Sequence, residues 1–344
     1  MSEQEIHRIA VHVAFVNKVN FACHHSTFAL LRELQIENLN PEQDLSDLRV
    51  TLEATPAFLK SKTWTLDCLV AGGRIAIQDR DLELDGAFLF SLSESLQGEV
   101  RVRVSSQTEC LSETVLDVEV LARNEWGGTD FMPELLAAFC VPNDPVVGAV
   151  LGEARRVLRK AGKDDVMDGY RAQSRERAWL LASAIYSAIA KLQVGYALPP
   201  VSFEHNGQKI RLPEQVAESR VATCLEITLL FAAALEQAGL NPLLVLTEGH
   251  ALVGLWLQSE ELSSIVVDEA DILRQRIPLK ELILIDTTLL TSHPVVPFSS
   301  AVKIGIKAIS LQQDDQFVAA IDVRRARSHC INPVCLRPES LNTV

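Results

Sequence analysis

Residues 223–254, TCLEITLLFAAALEQAGLNPLLVLTEGHALVG, place a cysteine and a histidine on two predicted secondary-structure elements. Apolar residues recur at steps of three and four between Cys224 and Gly239, which predicts a helix with one buried face. Thr223 followed by Glu226 forms a capping box at its start, and Gly239 ends it. Cys224 is therefore the first helical residue, where the positive end of the helix dipole favours a thiolate over a thiol.

Three apolar strands are predicted to follow this helix. Residues 243–246 and 251–257 form the first two, with His250 at the start of the second. The third, residues 282–285, ends in Asp286. If the second and third strands pair antiparallel, the start of one lies beside the end of the other, so the imidazole and the carboxylate become neighbours. Together with the cysteine, they would form a Cys-His-Asp catalytic triad.

At this cysteine, histidine and aspartate the sequence resembles the transglutaminase-like superfamily. The papain-like core of that superfamily carries its nucleophilic cysteine at a helix start and its histidine and aspartate on adjacent strands. Residues 125–147, 210–257 and 320–327 also look like the N-terminal region found ahead of large bacterial helicase-type proteins, several of them from defence loci. The chain departs from the superfamily pattern at Ala222, where glycine usually precedes the Thr-Cys pair, and at Ala251-Leu252, where Ala-Trp often follows the histidine.

Two site assignments have alternatives. Asp268 and Asp271 lie in the polar stretch between the second and third strands, and either is an alternative to Asp286 as the partner of His250. We favour Asp286 because it ends an apolar strand that would bring it into the packed core. Gln215, upstream of the cysteine, is a candidate by position for an oxyanion donor of the kind that papain-like sites use, and a solvated loop glutamine is the alternative.

The N-terminal part of the chain has a different pattern. Short apolar and polar runs of period two, separated by turn clusters, extend from Ile6 to about Arg123 and predict an antiparallel immunoglobulin-like β-sandwich. Two glycines and a tryptophan in residues 124–130 end this pattern, and a helical period follows. The predicted fold is therefore α+β, with an immunoglobulin-like domain at 1–125 and a helical connector plus transglutaminase-like domain at 126–344.

Composition and charge limit the function classes. The chain has 344 residues and a net charge of −13, which argues against phosphate-backbone binding as its main task, so we expect weak or no direct nucleic-acid binding. No apolar stretch has the length of a membrane span, and we expect a cytoplasmic protein. The seven cysteines are scattered, as is typical of reduced thiols.

Cofactor and metal sites are not predicted. The sequence has no phosphate-binding loop of the G-x-x-x-x-G-K type and no dinucleotide fingerprint. Cys23, His24 and His25 are adjacent, and adjacent side chains on a strand point to opposite faces, so we expect no metal ion there.

Two functional hypotheses follow. In the first, His250 takes the thiol proton, Asp286 holds the imidazole, and Cys224 attacks an acyl group of a protein or peptide substrate. The enzyme would be a protease, an amidase or an acyl transferase, within a bacterial defence system if the resemblance holds. In the second, the chain is a catalytically silent transglutaminase-like module that regulates or recruits a helicase or nuclease partner.

Overall fold

The computed structural model describes residues 9–335. The chain has a mixed α+β fold with about 33% helix and 29% strand. It divides into two compact units between Arg123 and Asn124, and the second unit continues to Cys335. In the part of the chain that the structure describes, no helix combines the length and the apolar character that a membrane span requires.

The first unit consists mainly of strands. Its elements are β1 (Ile9–Phe15), β2 (Lys18–Val19), α1 (Phe21–His25), β3 (Leu31–Asn38), β4 (Leu45–Thr55), β5 (Lys62–Leu69), β6 (Arg74–Ala76), α2 (Gly86–Ser91), β7 (Leu96–Ser105) and β8 (Cys110–Val120). They form a three-stranded sheet in the order β1-β3-β6 and a five-stranded sheet in the order β2-β8-β7-β4-β5. All neighbouring strands are antiparallel except the short β2, which runs parallel to β8.

The period-two pattern that predicts these strands has a direct structural counterpart in β7. Val100, Val102 and Val104 are fully buried, because alternate side chains of a strand point to the same face. On the other face, Arg103 forms an ion pair of 2.8 Å with Glu113 of β8, the residue opposite to it. The immunoglobulin-like topology of this unit remains a prediction.

The Cys23-His24-His25 segment differs from the sequence-based expectation. We expected strand geometry for these residues, but they form the second half of the short helix α1, which is capped by Asn20. The Asn20 side chain accepts a hydrogen bond from the Cys23 backbone N–H at 3.2 Å. Among residues 9–335, no group of three or more His, Cys, Asp and Glu side chains is arranged to hold a metal ion.

The second unit is built around one central helix and one large sheet. Its strands are β9 (Glu125–Trp126), β10 (Gly195–Tyr196), β11 (Gln208–Lys209), β12 (Val221–Ala222), β13 (Pro242–Thr247), β14 (His250–Trp256), β15 (Val266–Val267), β16 (Leu282–Ile285) and β17 (Phe317–Asp322). Its α-helices are α3 (Pro145–Lys160), α4 (Arg175–Ala190), α5 (Phe203–Asn206), α6 (Pro213–Ser219), α7 (Cys224–Gln237), α8 (Ala270–Arg274), α9 (Phe298–Lys307) and α10 (Val323–Ser328). Three 3₁₀ helices cover Pro133–Phe139, Thr287–Thr291 and Leu311–Gln316.

The large sheet has the strand order β15-β17-β13-β14-β16, and all neighbouring strands are antiparallel. Both of its faces are covered, so β13 and β14 are almost continuously apolar rather than alternating. Leu243 and Val245 belong to a buried cluster on one face that includes Leu273 of α8. The helix α7 packs against β13 and β14.

The helix α7 is buried on all sides. The apolar spacing predicts one buried face, but every residue from Cys224 to Leu235 is buried. The reason is that α3, α4 and α6 also pack around α7, in addition to the sheet. A helix that is apolar around its whole circumference is a core helix, and Cys224 is the first residue of this core helix.

Candidate functional site

The start of α7 is held by a buried carboxylate. Glu226 accepts hydrogen bonds from the backbone N–H of Thr223 at 2.8 Å and of Arg211 at 2.8 Å. The Arg211 guanidinium pairs with the same carboxylate at 3.0 Å. The Thr223 hydroxyl accepts from the Glu226 backbone N–H, which completes the predicted capping box. Cys224, the next residue after the cap, is thereby fixed in position.

A tight hairpin positions His250. Thr247 and His250 are opposite each other in the β13–β14 ladder, so only Glu248 and Gly249 form the loop. Gly249 has φ +67°, a backbone conformation that glycine adopts without steric cost. Because the loop is this short, His250 is the first residue of β14 and lies at the end of the sheet where that strand begins.

Asp286 lies at the end of β16, where α9 approaches the strand closely. A Cβ atom on Gly305 of α9 would lie 2.6 Å from the carbonyl oxygen of Leu284, so the two backbones are in direct contact. The Asp286 backbone N–H also donates to the Ala301 carbonyl of α9 at 3.1 Å. Its Oδ1 atom accepts from the Thr288 backbone N–H at 3.0 Å and from the Thr288 hydroxyl at 2.6 Å. These contacts leave Oδ2 to face the histidine.

The structure brings the three predicted residues together. Strands β14 and β16 pair antiparallel with Val253 opposite Ile285, and the Nε2 atom of His250 lies 3.3 Å from Oδ2 of Asp286. The Cys224 side chain is another neighbour of the imidazole and helps to raise the pKa of His250. Since Nε2 faces Asp286, Nδ1 is the ring nitrogen that can exchange a proton with the Cys224 sulfur.

These contacts change the acidity of both ionisable partners of the cysteine. Burial lowers the pKa of His250, but hydrogen bonds to the Asp286 and Cys224 side chains and their negative charges outweigh burial and raise the pKa to about 9. For Asp286, burial raises the pKa, and the hydrogen bonds from His250 and Thr288 together with the imidazolium charge produce a net lowering. The pair is therefore an imidazolium–carboxylate ion pair near neutral pH.

Tyr196 is a member of the site that sequence reasoning missed. Burial and the neighbouring Cys224 side chain raise the pKa of the Tyr196 hydroxyl to about 12. Tyr196 reaches the cysteine because β10 pairs in parallel with β12, with Tyr196 opposite Ala222. Both strands have two residues, which is too short for a periodic signal, and their pairing is long-range.

The sulfur is covered in this conformation. Cys224 is 0% exposed, whereas Tyr196 is 43% exposed and His250 is half-buried. The tyrosine and the imidazole are thus the site groups that meet solvent, and a reagent must pass them to reach the sulfur.

The remaining residues proposed from the sequence do not contact Cys224, His250 or Asp286 in the hydrogen bonds and ion pairs that the structure describes. Gln215 is exposed on α6, and its Oε1 atom accepts from the Leu212 backbone N–H at 3.0 Å, which caps α6. Asp268 is exposed after β15, on the far side of the sheet order from β16. Asp271 of α8 pairs with Arg274 at 2.7 Å. Of the three carboxylates considered from the sequence, Asp286 is the one that the structure pairs with His250.

Comparison with models of known protein families gives no match, and no curated protein matches the chain in sequence.

Proposed function

We propose that the second unit carries out acyl chemistry with Cys224 as nucleophile, His250 as the proton carrier and Asp286 as the group that orients and charges the imidazole. The observation that supports this most strongly is the 3.3 Å contact between His250 Nε2 and Asp286 Oδ2, with the Cys224 side chain as a further neighbour that raises the pKa of His250. Each of the three also has a separate structural support, namely the cap at α7, the hairpin before β14 and the contact of α9 with β16.

The first chemical step is addition to a carbonyl. The His250 imidazole, with its pKa raised to about 9, is already protonated near neutral pH, so the attack starts from a Cys224 thiolate beside the imidazolium. The sulfur adds to the carbonyl carbon of an amide, and the carbonyl π electrons move to oxygen. The backbone N–H groups of Cys224 and Leu225 precede the first intrahelical hydrogen bond of α7, which Ile227 donates to Thr223. With the Tyr196 hydroxyl, they are the donors that would stabilise this oxyanion.

The second step releases the leaving group. The C–N bond breaks as His250 gives its proton to the departing amine, and a thioester on Cys224 remains. Water or a second amine then attacks the thioester while His250 takes a proton from it. The sulfur leaves as a thiolate while His250 keeps that proton, which regenerates the starting ion pair. Water as acceptor gives a protease or amidase, and an amine as acceptor gives an acyl transferase.

A second candidate function has one observation in its favour. Cys224 is fully buried, and a buried cysteine is a common packing residue. In this alternative the unit is a catalytically silent transglutaminase-like module, and the resemblance to regions ahead of helicase-type proteins makes a helicase or nuclease its proposed partner. The assembly would be bacterial, defence-related and cytoplasmic.

Limiting alkylation separates the two candidates. The purified chain would be treated with substoichiometric iodoacetamide, and the labelled cysteines would be located by peptide mass spectrometry. The enzyme proposal expects Cys224 to be labelled before Cys68 and Cys110, although both of these are exposed, and expects His250→Ala to slow that labelling at least about tenfold.

A matched control is provided by a second histidine–aspartate pair. His205 Nδ1 lies 3.0 Å from Asp130 Oδ1, so His205→Ala removes a comparable pair and should leave the Cys224 rate unchanged. If labelling of Cys224 is no faster than that of Cys68 and does not respond to His250→Ala, the silent module is the correct candidate. Release of coumarin from pooled acetylated dipeptide coumarin amides, lost in Cys224→Ala, would support the enzyme directly.

A further inference from the structure

The loop that follows Tyr196 exposes an unusual amount of apolar surface. Val201 is 93% and Leu198 is 85% exposed, the highest values among the large apolar side chains of residues 9–335. Tyr196, directly before this loop, is 43% exposed. Large apolar side chains that are this exposed and this close together in one loop mark a candidate binding site.

This loop is fixed at both ends. The Ala197 backbone N–H donates to the Ala222 carbonyl at 2.9 Å. At the other end Phe203 is fully buried, and the His205 backbone N–H donates to the Ser202 carbonyl at 3.1 Å. The apolar side chains between these anchors are therefore presented from a fixed position.

The sequence of this loop also restricts its backbone conformation. Leu198 is followed by Pro199 and Pro200, and a residue before proline is held in the extended or polyproline region. A segment that is already ordered loses little conformational entropy when a ligand binds. Since the two prolines have no N–H group, they cannot donate main-chain hydrogen bonds to an added peptide strand. Recognition here must rely on side-chain contacts.

We infer that Leu198 and Val201 bind an apolar side chain of the acyl substrate, next to the carbonyl that Cys224 attacks. The inference rests on the proposed function and specifies its substrate class: peptides or amides with a large apolar residue on the acyl side. Continuity with the site supports this occupant, because Leu198 follows directly after Ala197, whose backbone N–H donates to the carbonyl of Ala222, two residues before Cys224.

The test uses two chloromethyl ketones that differ in one side chain. Acetyl-alanyl-leucyl and acetyl-alanyl-glycyl chloromethyl ketone would be reacted with the full chain, and the rate of Cys224 modification would be followed by mass spectrometry. We expect the leucyl reagent to react about tenfold faster or more, the discrimination that one apolar contact provides. The double variant Leu198→Asn, Val201→Thr should bring the ratio close to one while leaving the iodoacetamide rate unchanged.

A matched double variant controls for a general loss of surface apolarity. Leu311 and Val166 are 74% and 51% exposed, and Leu311→Asn with Val166→Thr should preserve the leucyl preference. Equal rates for the two reagents in the wild type, or a preference that survives in the Leu198→Asn, Val201→Thr variant, would overturn the inference. So would concentration-dependent self-association that this variant abolishes, because a second copy would then be the occupant.

A binding experiment with a variant that lacks the nucleophile tests the apolar site independently of the proposed reaction. Saturation-transfer NMR of acetyl-leucinamide and acetyl-glycinamide with the Cys224→Ala variant should show contact for the leucyl compound only, and the Leu198→Asn, Val201→Thr substitutions should remove it. If iodoacetamide shows Cys224 to be unreactive but this contact is present, the proposed chemistry fails and the apolar site stands. If the contact is absent while Cys224 is reactive, the apolar site fails and the chemistry stands.

Discussion

The Nε2 atom of His250 lies 3.3 Å from the Oδ2 atom of Asp286, and the two residues occupy the same end of one sheet. The register of β14 against β16 is responsible, because Val253 lies opposite Ile285 and the strands run antiparallel. The Asp286 carboxylate accepts a hydrogen bond from the Thr288 backbone N–H, and the Asp286 backbone N–H donates to Ala301 of α9. The side chain is therefore positioned before any substrate binds. The charge of the imidazole is therefore a property of the fold and can be tested by folding experiments.

Asp286→Asn should reduce stability in a defined pH window. The folded pKa of His250, about 9, is above its unfolded value of 6.5, so its contribution is complete below about pH 6.5 and is lost as pH rises through 9. The folded pKa of Asp286 is below its unfolded value of 3.8, so its contribution is lost as pH falls through the folded value. Urea denaturation should show the wild type more stable than the variant by at most about 3 kcal/mol between pH 5 and 7. The difference should shrink above pH 9, and Asp268→Asn should show no such profile.

Gly305→Ala should displace the strand that carries Asp286. The added Cβ atom would lie 2.6 Å from the Leu284 carbonyl oxygen, with backbone on both sides of the contact. We expect a loss of about 1–3 kcal/mol in the free energy of unfolding and slower alkylation of Cys224. Gly152→Ala in α3 is the control, since no atom lies within 4 Å of its Cβ position, and it should stabilise by about 0.5–1 kcal/mol. An unchanged stability for Gly305→Ala would contradict the close contact.

Glu226→Ala should destabilise the N-terminal end of α7. The carboxylate accepts from the backbone N–H groups of Thr223 and Arg211, and its removal leaves both donors without this acceptor. The expected cost is roughly 2–3 kcal/mol by chemical denaturation. Glu218→Ala, on the exposed side of α6, should change stability by less than about 0.5 kcal/mol. Similar effects of the two substitutions would mean that the capping cluster does not hold the helix.

Tyr196→Phe should slow the reaction of Cys224 with a chloromethyl ketone without affecting stability. The substitution removes the hydroxyl on which the neighbouring Cys224 side chain acts and keeps the ring. We expect the leucyl chloromethyl ketone to react about 10- to 100-fold more slowly if this hydroxyl stabilises the oxyanion. Tyr186→Phe is the control, because that hydroxyl donates to the Val296 carbonyl at 3.0 Å, so the variant should lose about 1 kcal/mol of stability and keep its reaction rate. An unchanged rate for Tyr196→Phe would limit Tyr196 to covering the sulfur.

Several elements of the second unit follow from local sequence signals. The helix begins at Cys224, as the Thr223–Glu226 capping box predicts, and its C-terminal stop is Gly239, which has φ +79°. The strand Leu282–Ile285 has the predicted bounds. These features depend on residues within one or two turns of each other, so a short window of sequence contains the necessary information.

Other features depend on contacts between distant segments. Gln215 has the right residue type upstream of the cysteine, but its amide caps α6, because the Leu212 N–H is the nearest donor that needs an acceptor. Cys23, His24 and His25 form a helix rather than a strand because the Asn20 side chain caps it. Neither outcome is visible in residue spacing, since each depends on which of several possible hydrogen bonds the folded chain satisfies.

The sequence by itself determined which groups can carry the chemistry and the elements on which they lie: a cysteine at a capped helix start, a histidine at a strand start and an aspartate at a strand end. Only the tertiary structure decided that Asp286 rather than Asp268 pairs with His250, that Tyr196 covers the sulfur, and that α7 is buried on every side. Helix caps and apolar periods arise from neighbouring residues. Strand order and the pairing of β10 with β12 are set by how the whole unit buries its apolar surface, and no local stretch of sequence specifies that.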